Sequence, residues 1–395
     1  MRVVHLSTSK FGGAGKSASI LNQKLIEAGI ISQLLDRRAL GMQKTLQSKC
    51  ATIYGKLSST PKYDFLSSHS VSALDFSALQ ELRPQIIHLH NWYNLISVED
   101  FSKLAQVAPL VFTLHDERLA TGGCHVTLGC TKFLKSCDNC PAHRFGYSRE
   151  KYRKRLENFF DSGRNYSVIS PSLWMMEQLS LTSLVSKAYS TKIIPNLLSS
   201  ANEILPPGQP KTNLTELIFV ASNIDVPYKG IQTLLSAMSI LDSKIEGIHK
   251  QFNLTLVGHS NVKKVESFKN IKMVQRDQLS SDALMSLMQK SDILIVPSMT
   301  ENYPGVIAEA QTQGVRVVAH RVGGISEMIN DGVTGYLCEP NAESLASRIL
   351  DAVLDPNSDR VRVSALEEVL KRQNSENIVA SHIDLYTQLL ERSGG

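Results

Sequence analysis

Short apolar segments alternate with longer amphipathic stretches along nearly the whole of this sequence. Helical spacing of apolar residues marks the longer stretches 14–28, 230–241, 282–288, 306–313 and 342–354. Parallel strands need a crossover connection, usually a helix, so this alternation predicts an α/β fold with parallel, helix-covered sheets. The twelve segments with the length and composition of strands are 3–6, 33–35, 86–90, 110–114, 167–170, 192–194, 217–221, 253–257, 272–275, 293–296, 316–319 and 335–337.

The length of the chain predicts two domains. At 395 residues it exceeds the size of about 250–300 residues at which one hydrophobic core usually stops growing. We expect Rossmann-like domains over residues 1–198 and 214–375. The segment 199–213 contains three prolines and a glycine, which is the composition of a linker. Residues 376–395 repeat apolar side chains at helical spacing, which predicts a C-terminal helix that packs back on the first domain.

Charge and hydropathy narrow the function classes. The formal net charge of +5 is spread along the chain, so the basic face of a nucleic-acid-binding protein is not expected. Basic residues gather at 144–155, where they form either a solvated helix face or a contact with a membrane surface or anionic acceptor. The sequence lacks the run of roughly 18 apolar residues that a membrane helix needs, and its first residues turn polar too soon for a secretory signal. We expect a cytoplasmic protein, with peripheral contact at the inner face of the membrane as an alternative.

The pattern that carries most chemistry is a pair of glutamates eight positions apart, Glu301 and Glu309. The pair follows a predicted strand that ends at Val296-Pro297-Ser298, and it opens a predicted helix. Ligands bind at the carboxyl ends of strands in open α/β sheets, and a helix N-terminus there favours phosphate. Glu309 lies about two turns further along than Glu301, on nearly the same face. One carboxylate can therefore reach a sugar and the other a ribose, although an isolated helix glutamate is usually a solvated surface residue.

The sequence after this pair continues with Gly323-Gly324-Ile325 and with the segment 331–337, Asp-Gly-Val-Thr-Gly-Tyr-Leu. The whole block resembles the donor-binding domain of the retaining glycosyltransferases of the glycogen-synthase-like superfamily, specifically the large bacterial family 4. The resemblance is strongest over residues 217–355. It implies the GT-B fold, in which two Rossmann-like domains face a central cleft, and it implies sugar transfer from a nucleotide sugar without a catalytic metal.

The resemblance also implies roles for single residues. Glu301 would contact hydroxyls of the donor sugar and Glu309 the nucleotide ribose, while Lys229 would bind the donor diphosphate. Backbone contacts to sugar and diphosphate would come from Asn302, Tyr303, Pro304 and Gly305. One departure is that the family often has an arginine just after the preceding strand, where this chain has Ala221-Ser222-Asn223. Neutralisation of the diphosphate would then rest more heavily on Lys229, or on an arginine elsewhere.

The first half of the chain offers further candidates at strand ends. The segment 9–17 is similar to a phosphate-binding P-loop, but Lys10 stands where that motif needs its first glycine. Gly12 and Gly13 would instead let the backbone approach the diphosphate or the acceptor, unless they serve only a structural turn. His115 follows a predicted strand and matches a family histidine that contacts the donor sugar. His90 and Asn91 are acceptor-side candidates, and we expect His88 and His90 to reflect strand polarity rather than a metal pair.

Four of the six cysteines fall within seventeen residues of a predicted loop over 120–145, as Cys124, Cys130, Cys137 and Cys140. Disulfides are disfavoured without a secretory signal, and a Cys-x2-Cys pair suggests metal. Four thiolates could hold one structural zinc and fold a loop that has no core of its own. A disulfide pair or free thiols is the alternative, whereas a catalytic metal is not expected because four ligands leave no open position.

The resemblance therefore implies a retaining, metal-independent hexosyltransferase of polysaccharide biosynthesis. The donor would be a UDP-, GDP- or ADP-sugar, and the acceptor a glycan or a lipid-linked molecule. The rival hypothesis is a catalytically inactive GT-B-type binding module in which a zinc-stabilised cysteine loop docks a partner. An ATP-using P-loop enzyme is a third hypothesis, which Lys10 disfavours.

Overall fold

The computed structural model describes residues 1–38, 49–50, 53–54, 57–60, 72, 74–198, 214–244, 251–261 and 268–394. The chain divides into two compact units. The first, called the first domain below, comprises Met1–Leu197 and Asn374–Gly395, and the second domain comprises Leu198–Gln373. The predicted linker at 199–213 lies outside the described residues.

The first domain contains a six-stranded sheet in which every described strand pair is parallel. Its strand order is β2-β1-β3-β4-β5-β6. The strands are β1 (Arg2–Ser7), β2 (Ile31–Leu35), β3 (Ile86–Asn91), β4 (Leu110–Thr113), β5 (Tyr166–Ser170) and β6 (Ser190–Ile193). The helices are α1 (Gly12–Glu27), α2 (Phe76–Glu81), α3 (Val98–Val107), α4 (Glu150–Asp161), α5 (Leu173–Leu179) and α6 (Ser183–Ser186).

The second domain contains another six-stranded parallel sheet, with the order β12-β11-β10-β7-β8-β9. Its strands are β7 (Leu214–Asn223), β8 (Gln251–His259), β9 (Ile271–Arg276), β10 (Ile293–Val296), β11 (Arg316–His320) and β12 (Tyr336–Cys338). Its helices are α7 (Ile231–Lys244), α8 (Ser281–Gln289), α9 (Gly305–Thr312), α10 (Ile325–Met328), α11 (Ala342–Leu354) and α12 (Ser358–Arg372).

Both sheets are buried on both faces, which explains the continuous apolar runs of the sequence. In β1, Val4 and Leu6 pack into one apolar cluster of the first domain, and Val3 packs into another. All four residues of β4 and of β10 are buried. The predicted α/β fold with parallel sheets is confirmed, and each of the twelve predicted strands is present.

The C-terminal helix α13 (Ser375–Gly394) belongs to the first domain. Its apolar residues Leu385, Tyr386 and Leu389 are buried in the cluster that also contains Val3 of β1 and Leu25 of α1. The Tyr386 hydroxyl lies 2.7 Å from Nδ1 of His88 on β3. The prediction that the C-terminal helix packs back on the first domain is therefore confirmed.

Among the described residues, no helix combines the length and the apolar composition that crossing a bilayer would require.

Candidate functional site

Two loops of the second domain meet at the carboxyl end of its sheet, because β7 and β10 are paired neighbours. The loop after β7 contains the short helical turn Pro227–Lys229, and Gly230 follows it with φ +77°. A Cβ on Gly230 would lie 1.8 Å from the carbonyl oxygen of Pro297, in the loop after β10. The amide of Met299 donates to the carbonyl of Tyr228 at 2.7 Å. Direct backbone contact therefore fixes one loop against the other.

This contact brings Lys229 and Glu301 together. The ammonium Nζ of Lys229 lies 2.5 Å from Oε1 of Glu301, and Ser298 Oγ donates to the same oxygen at 3.0 Å. The side chains are 25% and 13% exposed, so water and small ligands can reach both. The pair offers a cation for phosphate oxygens beside a carboxylate for hydroxyl groups. Ser298 is a contact that sequence reasoning missed, although its place at the end of a strand was a signal.

The glycine pair 323–324 holds the backbone of Glu301. Gly323 has φ +54°, and a Cβ there would lie 2.0 Å from the Glu301 carbonyl oxygen. The Gly324 amide donates to the same oxygen at 3.0 Å. The sequence block that supports the resemblance thus has a steric function at the site, which the pattern alone did not indicate.

Helix α9 begins at Gly305 beside this loop, with Pro304 before it and no side chain capping its first turn. A Cβ on Gly305 would meet nothing within 4 Å, so the space at the helix start is open. Since the helix begins at Gly305, Glu309 lies about one turn into it, and Glu301 lies in the loop before it. Tyr303 is buried in the apolar cluster of this domain, so its side chain serves packing.

His320, at the end of β11, is a second residue that sequence reasoning missed. Its Nδ1 lies 3.1 Å from the Ser298 carbonyl oxygen, which makes Nδ1 the protonated nitrogen. Burial lowers the pKa of His320, so the imidazole is neutral near pH 7. The available signal was a histidine at the carboxyl end of a strand, as for His90 and His115.

The matching end of the first domain's sheet contains a group of histidines, next to an ion pair of Arg118 with Asp116 in the loop after β4. His5 Nδ1 lies 3.0 Å from His90 Nε2, and His90 Nδ1 lies 3.1 Å from His115 Nε2. Nδ1 of His88 contacts the Tyr386 hydroxyl, and its Nε2 contacts Thr113 Oγ1, both at 2.7 Å. His5, His88 and His90 place ligand atoms within 4.8 Å of one another, as a metal would require. Both nitrogens of His88 and of His90 are already hydrogen-bonded, however, so a hydrogen-bond network accounts for the cluster.

Asn91 and the glycines near the start of α1 lie at the same end of this sheet. The Asn91 carbonyl accepts from the Thr8 amide at 2.6 Å and from Thr8 Oγ1 at 3.0 Å. A Cβ on Gly12 or Gly13 would meet nothing within 4 Å, so both leave open space at the helix start. The close approach occurs at Gly15, where a Cβ would lie 2.0 Å from the Ser9 carbonyl oxygen. Sequence reasoning did not identify Gly15.

The cysteine loop forms a small cavity of its own, lined by Cys124, Cys130, Cys137 and Cys140. All four thiols are free, and no disulfide occurs among the described residues. A hydrogen bond from Cys124, with help from backbone amides and Arg149, lowers the pKa of Cys140 to about 6. Burial raises the pKa of Cys137 to about 11. Near neutral pH the Cys137 thiol therefore stays protonated, whereas the Cys140 thiol ionises.

Comparison with known proteins finds a family match within the second domain. Residues 207–367 match the family described as glycosyl transferases group 1. The matching segment contains Lys229, Glu301 and Glu309.

Individual relatives extend the likeness. The chain is 26% identical over 349 residues to the putative colanic acid biosynthesis glycosyl transferase WcaC of Escherichia coli K12, an alignment that covers 75% of this chain and 81% of WcaC. Alignments with two other curated relatives cover only 46% and 29% of those proteins.

Solved structures with the same fold include sucrose-phosphate synthase from Thermosynechococcus elongatus. Its TM-score is 0.65 at 20% identity, over 99% of this chain and 100% of that one. Anabaena HepE in complex with UDP-glucose has a TM-score of 0.60 at 16% identity, over 98% and 100% of the two chains. The predicted GT-B class, with two Rossmann-like domains, is confirmed as a fold.

Proposed function

We propose that this protein is a retaining glycosyltransferase that transfers a hexose from a nucleotide sugar to a glycan or lipid-linked acceptor. The observation that carries the proposal is the contact of Lys229 with Glu301 at the carboxyl end of β7 and β10. It lies inside the segment that matches the glycosyltransferase family. An ion pair that stays accessible beside an open helix start can separate to bind a ligand of mixed charge.

Lys229 would bind the diphosphate of the donor. A departing nucleoside diphosphate develops negative charge, and a fixed cation near helix-end amides stabilises that charge without a metal. The amides at the start of α9 have no capping side chain, which leaves them available for phosphate oxygens. Catalysis would then be independent of divalent metal, and excess chelator would leave turnover unchanged.

Glu301 would accept hydrogen bonds from hydroxyls of the donor sugar, and Glu309 from the ribose. In the proposed complex Lys229 leaves Glu301 for the phosphates, while Ser298 and Gly324 keep the carboxylate and its backbone in place. UDP is the first nucleotide to test, because HepE was solved with UDP-glucose. The name of WcaC supports an acceptor used in polysaccharide biosynthesis.

In the first domain, His115, Asn91, Gly12 and Gly13 would contact the donor sugar or the acceptor. The open space at Gly12 and Gly13 supports this assignment. A lipid-linked acceptor would place the protein at the inner face of the cytoplasmic membrane.

The test is a screen of UDP-, GDP- and ADP-sugars for thermal stabilisation, followed by measurement of nucleoside diphosphate release with candidate acceptors. A ligand at about 100 times its Kd should add roughly 2.7 kcal/mol to the free energy of unfolding.

Glu301→Gln and Glu309→Gln should lose turnover while remaining folded. Stabilisation without turnover by any acceptor would favour the inactive binding module. Unchanged turnover in the variant that carries both substitutions would refute the proposed site. The anomeric configuration of the product, read by NMR, decides between retention and inversion.

We also propose that the cysteine loop binds one structural zinc. Four free thiols line one cavity, and the loop around them contains only short helical turns. Binding would require deprotonation of the thiols, which the lowered pKa of Cys140 favours and the raised pKa values of Cys124 and Cys137 oppose until a zinc ion is bound. A zinc held by four thiolates would stabilise the loop and take no part in catalysis.

Zinc content of the purified protein, measured by mass spectrometry, tests this site. We expect one zinc per chain in the wild type, and loss of the zinc in Cys124→Ser and Cys140→Ser. Cys338→Ser is the matched control, because Cys338 is a buried free thiol of the second domain. Protein that contains no zinc after expression in zinc-supplemented medium, with all four thiols reactive, would refute the site.

A further inference from the structure

We propose that His90 is a positioning residue for His115, and that the hydrogen-bond chain from His5 through His90 fixes His115 with its proton on Nδ1. His115 would then carry its single N–H group at the nitrogen that His90 does not contact. The contact of His115 with a sugar rests on the proposed function, whereas the position of its proton does not.

The chain joins three neighbouring strands. β1 pairs with β3, and β3 pairs with β4, so the histidines at or just after the ends of these strands lie side by side. His90 contacts His5 through Nε2 at 3.0 Å and His115 through Nδ1 at 3.1 Å. Because both its nitrogens are engaged and its side chain is buried, His90 cannot itself contact an acceptor. Its action has to pass through His115.

The ring of His90 is held in place from the side. His88 lies beside it with a distance of 4.0 Å between ring centroids. His88 is fixed in turn by the Tyr386 hydroxyl of α13 and by Thr113 of β4. Rotation of the His90 ring would break hydrogen bonds at both its ends and disturb this packing. The geometry of His115 is therefore set from inside the domain.

All three imidazoles of the chain are neutral near pH 7. Burial lowers the pKa of His5 to about 3 and that of His115 to about 4. Burial also lowers the pKa of His90 well below the ordinary value, with further lowering by His5 and His115. A neutral imidazole carries one proton, so each ring in the chain donates at one nitrogen and accepts at the other. The chain can therefore run in only two directions.

The inner end of the chain selects the direction. His5 Nε2 is buried without a hydrogen-bond partner. If donation ran inward from His115, this atom would carry a buried, unpaired N–H group, and such groups are rare in proteins. If donation runs outward, His5 Nε2 is a bare acceptor, His5 donates to His90, and His90 donates to His115 Nε2. The proton of His115 is then on Nδ1, the nitrogen outside the chain.

This assignment defines what His115 can do chemically. Its Nε2 is occupied by His90, and its Nδ1 donates rather than accepts. A neutral N–H donor suits a hydroxyl oxygen of a sugar and cannot take up the proton of an attacking hydroxyl group. His115 would therefore bind and orient, and the acceptor proton would go elsewhere.

The direct test is ¹⁵N NMR of the ring nitrogens in histidine-labelled protein at pH 7.5, with His115→Gln used to assign the His115 signals. We expect a pyrrole-like Nδ1 and a pyridine-like Nε2 for His115. A protonated Nε2 would overturn the proposal. This readout needs no substrate, so it stays informative even if the protein proves not to be a glycosyltransferase.

Variants then test whether His90 sets the state of His115. In His90→Leu the partner of Nε2 is lost, and we expect averaged shifts from a mixture of the two tautomers. In His90→Gln the side-chain amide can still donate to Nε2, so the Nδ1–H form should be kept. His382→Leu is the control, because His382 is also buried near His88 but lies outside the hydrogen-bond chain, with its Nδ1 bonded to the Ile378 carbonyl. An unchanged His115 spectrum in folded His90→Leu would overturn the positioning role.

Kinetics supply the second readout. On the proposed function, His90→Leu should lower kcat about tenfold, roughly the value of one hydrogen bond. His90→Gln should recover most of this loss, and His382→Leu should retain wild-type kcat. Equal losses in His90→Leu and His382→Leu, in proteins of equal stability, would indicate a purely structural effect and refute the proposal.

Discussion

Polar side chains gather at the carboxyl ends of both sheets, but their chemistry differs between the two domains. In the second domain the side chains at this end are charged and partly exposed, and they lie on loops that touch through their backbones at glycines. In the first domain three of them are neutral imidazoles, carried on or just after strands and joined by hydrogen bonds, beside the mostly buried ion pair of Asp116 with Arg118. A charge loses too much solvation to be buried on a strand, whereas a neutral ring can be buried if its nitrogens are paired. The comparison distinguishes an accessible ion pair at one end from a buried chain of neutral imidazoles at the other.

Removing the cation of the second domain should have the largest effect. Lys229→Ala should lower kcat by roughly 10³-fold, comparable to losing a preorganised donor to a developing anion. The ion pair is partly solvent-exposed, so the free energy of unfolding should change by less than about 1 kcal/mol. Lys244→Ala, an exposed lysine at the end of α7, is the matched control. Similar kcat values for Lys229→Ala and Lys244→Ala would show that this end of the sheet does not recognise the charge of the donor.

The backbone contact between the loops gives the next prediction. Gly230→Ala would bring a Cβ to 1.8 Å from the Pro297 carbonyl oxygen. Gly332 is the control, since its φ of +75° is similar but a Cβ there meets nothing within 4 Å. Gly332→Ala should cost about 1–2 kcal/mol for the left-handed backbone, and Gly230→Ala about 1–3 kcal/mol more for the clash.

Denaturant unfolding of both glycine variants measures these costs, and turnover should fall only in Gly230→Ala. Equal unfolding free energies would show that the loops do not need their close contact.

Glu117, just after His115-Asp116, tests whether burial also keeps a carboxyl group uncharged in the first domain. Burial raises the pKa of Glu117 to about 7, although Thr127 and Gln178 donate to its carboxylate. The folded state therefore binds this proton more tightly than the unfolded state, and it loses stability as the pH rises from about 4.5 to 7.

Glu117→Gln lacks this titration, so it should gain about 2–3 kcal/mol relative to wild type between pH 5 and pH 8. Urea unfolding of both proteins at several pH values measures the difference. A constant difference across this range would contradict a neutral Glu117.

Removing the hydrogen bond between the C-terminal helix α13 and β3 should have the smallest effect. Tyr386→Phe removes the hydroxyl that bonds to His88, which leaves a buried nitrogen unpaired and should cost about 1–2 kcal/mol. His382→Leu, without Tyr386→Phe, shows the cost of a buried change on the same helix that keeps the hydrogen bond between Tyr386 and His88. Because His88 packs against His90, kcat of Tyr386→Phe should fall as well. A normal kcat with a lowered free energy of unfolding would show that the hydrogen-bond chain of histidines does not depend on the contact between Tyr386 and His88.

The sequence was sufficient for the elements and insufficient for their contacts. Strands such as 293–296 could be predicted because strands covered by helices on both faces are continuously apolar. The sequence predicted that Lys229 and Glu301 bind the same ligand. It did not predict that they contact each other, since they are 72 positions apart in the sequence.

The contacts of His5 could not be predicted, because they depend on the register that places His5 opposite His88 in the sheet. The close approaches at Gly15 and Gly323 were missed for a similar reason. A glycine in the sequence does not reveal which distant carbonyl group it allows to come near.

The central claim is that Lys229 binds the phosphates of the donor. Its most direct test is the Kd of the nucleoside diphosphate of the active donor, and of the parent nucleoside, for wild type and Lys229→Ala by calorimetry. The account predicts diphosphate binding at least about tenfold weaker in the variant, a loss of about 1.4 kcal/mol, with nucleoside binding unchanged. Equal affinity of wild type and variant for the diphosphate would contradict it.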